Sequence, residues 1–220
     1  MNKLNYDKGN LQNEDYYYQS KIYKVNSLYK HKDLHAIFLQ LKANVVDLNP
    51  ALITKCIQGT EQDFIMLMNK AKDFLHSYKN INEQGKEILL DLFRDCVFGY
   101  YVLTPLIKAK DVSDIKVLNW NQITCKANGD RYLTNLSFEN EDDYNRWFDR
   151  ILRIHRLQRF DEAALQQCTD RKGVENFYLR IDIQLNCATS TDINNIHIRK
   201  IPKTKLSWDY LKDNRMLDDE

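Results

Sequence analysis

No window of this chain approaches eighteen consecutive apolar residues, so no membrane-spanning helix is expected, and the opening MNKLNYDKGNLQNEDYYYQ is too polar for the apolar part of a secretory leader. Both absences point to a cytoplasmic chain. The cysteines Cys56, Cys96, Cys125, Cys168 and Cys187 stand far apart and form no C-x-x-C pair, which implies neither a zinc site nor a disulfide framework. The phosphate-cradling G-x-x-x-x-G-K-[ST] loop is missing too. Its one Gly-Lys pair, Gly85-Lys86, is followed by Glu87 and lacks the earlier glycine. Neither G-x-S-x-G, H-E-x-x-H nor a dinucleotide fingerprint occurs, so the chain shows no catalytic machinery of its own. A large excess of charge is also lacking: a net charge of +1 excludes a surface that traps nucleic acid everywhere.

What is present is an ordinary globular composition, 43% apolar and 29% charged over 220 residues, enough for one large or two small domains. The cations are unevenly spread. Every arginine except Arg94 lies between Arg131 and Arg215, whereas the first half relies on lysine. A guanidinium is a planar fork suited to phosphate or carboxylate, so an anion site is expected in the second half.

Residues 1–15 read as a disordered tail. Residues 16–98 are helical in pattern throughout, with apolar positions at helical spacing in three groups: Leu34, Ile37, Phe38 and Leu41; Phe64, Leu67, Met68, Ala71 and Leu75; Ile88, Leu89, Leu92, Phe93 and Cys96. Asn49-Pro50 opens a helix, and breaks fall near Gly59 and over 80–85. This half is expected to be a helical bundle. From Val112 the period changes to two, and Asn128-Gly129 between ITCKA and DRYLT is a type I′ hairpin signal. A helix is expected over 141–157, with Glu141, Asp142 and Asp143 at its positive end. A loop over 166–176 then leads to two strands, 176–185 and 194–201, expected to be antiparallel neighbours. The fold class is α+β: a helical front, then a mixed or antiparallel, PAS-like sheet domain with packed helices over 99–202.

Several residue groups invite a functional reading. His31 and His35, with Asp33, could face a metal, but two histidines among lysines fit a solvated helix better. Asp161 and Glu162 are adjacent and so point apart, which favours a loop or cap role over acid-base catalysis. RILRIHRLQR repeats arginine from Arg150 to Arg159 at three-residue steps, a basic strip that would drift across a helix and could touch nucleic-acid phosphates, though solvation or pairing explains it more simply. Arg180 and Arg199 differ, because each sits inside an apolar strand. A hairpin between those strands could bring both to one face, as edge arginines whose stems snorkel past the sheet or as a clamp for an anion such as a nucleotide phosphate.

The stretch VFGYYVLTPLIKAKDVSDIKVLNWNQITCKANGDRYL, the helix running to QRFDE, LRIDIQL and HIRKIPK together resemble the N-terminal domain of type II/type IV secretion traffic ATPases. Within that family the stretch looks like the tight-adherence pilus (CpaF-like) ATPases and their conjugative relatives. The matching positions are Gly99 with Leu103 and Leu106, Asp111 to Ile115, Gly129, Arg159 to Glu162, Arg180, and Ile198 to Pro202. The chain departs from the family pattern at Val102, at Gln158, and at VENFYLR, which lacks an Asp-Gly. The resemblance implies a domain that covers the nucleotide of a C-terminal RecA-like motor, with 203–220 as the linker toward it. It implies Mg-ATP as the ligand shared with that motor, and Arg180, Arg199 and Arg159 as phosphate contacts. It further implies a hexameric ring at the cytoplasmic face of the inner membrane, working with a membrane platform protein and not with nucleic acid directly. Such a domain alone would not hydrolyse ATP. The alternative reading is a stand-alone, non-enzymatic PAS-like interaction module of a secretion or conjugation apparatus.

Overall fold

The computed structural model describes residues 21–25, 32–58, 61–159, 164–171, 176–189 and 192–203. The expected tail 1–15, His31, the Asp161–Glu162 pair and the linker from residue 204 lie outside them. Helical spacing in the first half becomes helices α1 (Lys32–Leu41), α2 (Pro50–Gln58), α3 (Glu61–His76) and α4 (Glu83–Phe98). Pro50 opens α2, where a missing N–H costs nothing. Asn82 caps α4 by accepting from the Gly85 N–H at 2.8 Å. Between α1 and α2 the chain widens into one π-helical stretch, Lys42–Asp47, that sequence periodicity does not reveal.

A short helix α5 (Thr104–Lys108) leads into strands β2 (Val112–Asn119), β3 (Gln122–Ala127) and β4 (Asp130–Thr134). Asn128 at φ 50° and Gly129 at φ 90° make the β3–β4 turn, the left-handed pair that a two-residue hairpin demands. Helix α6 (Glu141–Ile154) follows, capped by Asn140, which accepts from the Asp143 N–H at 2.9 Å. It ends one turn before residue 157, and Arg156 turns away with φ 57°. Strands β5 (Leu165–Asp170), β6 (Phe177–Gln184) and β7 (Asn195–Pro202) complete the chain.

The strands form one open mixed sheet in the order β1-β4-β3-β2-β7-β6-β5, where β1 (Ile22–Tyr23) lies parallel to β4 and every other pair is antiparallel. Two expectations are corrected. Ile22–Tyr23 extends the sheet from within a segment read as helical, because Tyr23 is anchored by its hydroxyl to Asp111 at 2.9 Å. Likewise β5 occupies the expected loop. LQQCTD has no apolar alternation because, as an edge strand, it is held by the β6 backbone and not by a buried face.

Alternation fixes the two faces of the sheet. Ile115 and Val117, Leu179, Ile181 and Ile183, and Ile196 and Ile198 point to one side and are fully buried, in one core with Phe38, Leu67, Leu89 and Phe93 of the helices and Trp147 of α6. The α+β class is as expected. The buried face carries the stability, and the opposite face carries the polar partners of each alternating pair. Among the described residues no helix is long and apolar enough to cross a membrane.

Candidate functional site

Three strands share one pattern, a charged residue, an isoleucine and a second charged or ionisable residue: Asp114-Ile115-Lys116 on β2, Arg180-Ile181-Asp182 on β6 and His197-Ile198-Arg199 on β7. Period two sends each isoleucine into the core and both its neighbours to the polar face. Register then aligns them. Arg199 stands opposite Asp114 on one side and Arg180 on the other, while His197 stands opposite Lys116 and Asp182. The row through Arg199 continues across β3 and β4, since Asp114 faces Lys126 and Lys126 faces Arg131.

The pairing expected between Arg180 and Arg199 is therefore direct: they are cross-strand partners. Like charges at such positions repel, and the fold offsets this with two carboxylates. Arg199 Nε donates to Asp114 Oδ1 at 2.8 Å, and Arg180 donates from Nε and Nη2 to Asp182 Oδ2 at 3.2 Å each. The His197 ring lies between the two acids, with Nε2 at 3.2 Å from Asp114 and Nδ1 at 3.7 Å from Asp182. Ser113 Oγ donates to the second Asp114 oxygen at 2.8 Å. Beside this network a cavity of about 180 Å³ is walled by Lys116, Thr124, Lys126, Arg131, His197 and Arg199. Lys116, Lys126, Arg131, Arg180 and Arg199 outnumber Asp114 and Asp182, so the face is cationic.

The titratable groups respond accordingly. Burial raises the Asp114 carboxyl, but hydrogen bonds from Arg199 and Ser113 outweigh it and hold Asp114 below the usual carboxylate range. Burial pushes His197 down, and its bond to Asp114 restores only part of that, so the imidazole is neutral at pH 7. The Asp114 contribution has a definite sign. A depressed folded value means the unfolded chain takes the proton first, so this stability is complete above the ordinary aspartate value and is lost as pH falls through the folded one. Asp114→Asn should cost under about 1 kcal/mol at neutral pH and flatten the loss of stability below roughly pH 4, as read from urea midpoints. A slope matching that of the parent chain would show that the Arg199–Asp114 pairing does not hold in solution.

The third expected contact goes elsewhere. Arg159 lies beyond the end of α6 and donates to Asp149 at 2.6 Å, so the structure does not bring it to Arg180 and Arg199. The basic strip 150–159 is not one exposed surface either: Arg150 is buried, and Arg153 Nη1 donates to Thr54 Oγ1 at 2.9 Å. His35 pairs with Glu139 at 3.0 Å. Among the described residues no group of His, Cys, Asp and Glu has the makings of a metal site. Sequence reasoning missed Asp114, Asp182, His197, Lys126 and Arg131, although the repeated charged-Ile-charged pattern signals the first three. The chemistry on offer is recognition: paired guanidinium forks, held in orientation by carboxylates, on an open face that an anion can approach.

Neither a protein-family model nor a curated protein matches the chain. Among solved structures, the VirB11 ATPase from the Brucella suis type IV secretion system, in complex with sulphate, is 14% identical over 52% of this chain, with a TM-score of 0.42. The chain spans about a third of that protein's length, 34%.

Proposed function

We propose that this chain is the nucleotide-covering N-terminal domain of a secretion-system ATPase of the CpaF-like kind, and that Arg180 and Arg199 are its phosphate contacts. One observation carries the reading: the two arginines picked out by motif resemblance are direct cross-strand partners on the open face of the sheet. Their present partners suit the role. Carboxylates that hold each guanidinium in place reduce the ordering that a ligand must impose, and a multiply charged phosphate group can displace a single carboxylate from each fork. Phosphate loss on hydrolysis would return Arg199 to Asp114 and Arg180 to Asp182, which gives two arrangements of one network. In this proposal Mg-ATP binds between the domain and a RecA-like motor, subunits assemble as a hexamer, and the ring works at the cytoplasmic face of the inner membrane against a platform protein.

The test is ATP turnover by the full-length protein. Arg180→Ala and Arg199→Ala should each lower turnover by about tenfold or more, with only a small change in the thermal midpoint, because Arg180 is part-exposed, Arg199 is half-exposed, and each gives up an ion pair near the surface. Normal turnover in both variants would sink the clamp.

A further inference from the structure

Helix α6 presents a second group of arginines on the far side of the molecule from the Arg180–Arg199 pair. Arg146, Arg150 and Arg153 stand at i, i+4 and i+7, which places them on one stripe of the helix. The stripe faces the π-helical stretch and the start of α2, and a cavity of about 150 Å³ lies between them, walled by the three arginines, the carboxylates Asp47 and Asp149, and Val46, Pro50 and Ile53.

Arg150 is the unusual member. It is only 7% exposed, its Nε is fully buried without a hydrogen-bond partner among the described residues, and its Nη2 reaches the Cys96 sulfur at 3.8 Å. That thiol supplies no counter-charge, since burial pushes Cys96 up to about 11 and keeps it protonated. The nearby carboxylates are engaged: Asp47 with Arg146 at 3.5 Å and Asp149 with Arg159 at 2.6 Å. Among the described residues Arg150 has no carboxylate of its own; a guanidinium this deep without one is costly, and what would offset the cost is an anion in the cavity that Arg150 helps to wall. Two further features favour one. Arg146 and Arg153 flank Arg150 at the rim, and Pro50 places the positive end of the nine-residue α2 in the same wall. The volume accommodates a few waters, hence one tetrahedral oxyanion and not a nucleotide.

We infer that the Arg146–Arg150–Arg153 cavity binds a phosphate-class oxyanion, either free phosphate or the phosphoryl end of a larger molecule. The site is independent of the sheet face, and so is its test.

Thermal denaturation would compare sodium phosphate with sodium chloride at equal ionic strength. Phosphate should raise the midpoint by a few degrees at concentrations well above its dissociation constant. Arg146→Gln and Arg153→Gln, which alter rim residues and spare buried Arg150, should each weaken phosphate binding about tenfold. The Arg180→Ala/Arg199→Ala double variant should respond as the parent does. Glycerol 3-phosphate separates the sources: tighter binding than phosphate indicates a phosphoryl group on a larger molecule, and weaker binding indicates the free ion. Equal midpoints in phosphate and chloride would overturn the site. So would an undiminished response in both rim variants, or one that vanishes only with Arg180 and Arg199.

Discussion

Replacing Asp143 with alanine is expected to destabilise the fold by about 3–5 kcal/mol, visible as a large drop in the urea midpoint at unchanged slope. Asp143 is fully buried and faces the ammonium of Lys42, itself 4% exposed, at 2.5 Å. The Asp143 Oδ1 atom meets the charge without hydrogen-bond geometry, while Oδ2 accepts from the Glu139 N–H at 3.3 Å and the Tyr101 hydroxyl at 3.4 Å. Alanine would leave Lys42 charged in the interior, and uncompensated desolvation is what makes breaking such a pair worse than never having had it. The companion variant Lys42→Met/Asp143→Leu removes both charges and should recover most of the loss. A double variant as unstable as Asp143→Ala would show that the carboxylate's other bonds, not the ion pair, are what matter.

Trp147→Ala should cost a similar amount, about 3–5 kcal/mol. Trp147 is the largest fully buried side chain among the described residues, with its ring centroid 5.1 Å from that of Phe138 and 6.1 Å from that of Tyr144. Phe138 in turn packs edge-on against Tyr101 at 5.8 Å, so the loss would open a cavity where α6, the β4–α6 connection and the Tyr101 turn meet. Trp147→Phe should be much milder than the lost volume suggests, because the indole N–H has no partner among the described residues and its removal deletes an unsatisfied donor. Thermal midpoints of the two variants check the ordering. Equal losses would mean that the indole N–H is satisfied, by water for example.

Much of the fold was legible where a local rule acts alone. Asn128-Gly129 names its own turn, Asn49-Pro50 opens its helix, and the apolar strands around Arg180 and Arg199 alternate cleanly. Non-local features were not legible. The β5 edge is defined by what β6 offers it, and the two-residue β1 has no pattern to read. Lys42 and Asp143 are far apart in sequence and meet only once the π-helical stretch has turned Lys42 inward. Arg150 reads as one charge in a solvated strip because three-residue spacing says nothing about what lies opposite a helix. At the candidate site the arginines were visible and their carboxylates were not, since a charge inside an apolar strand attracts notice only when its partner strand and register are known.

The sheet order has a topological consequence for anything that binds its polar face. Strands β2, β3 and β4 form one locally connected meander, β5, β6 and β7 form another, and the two are joined along a single seam between β2 and β7. The Asp114–Arg199 bond crosses that seam and joins residues 85 apart in sequence. An anion that displaced Asp114 while contacting both Arg199 on β7 and Lys116 or Lys126 on β2 and β3 would take over this long loop closure, as a reversible cross-link between the two meanders.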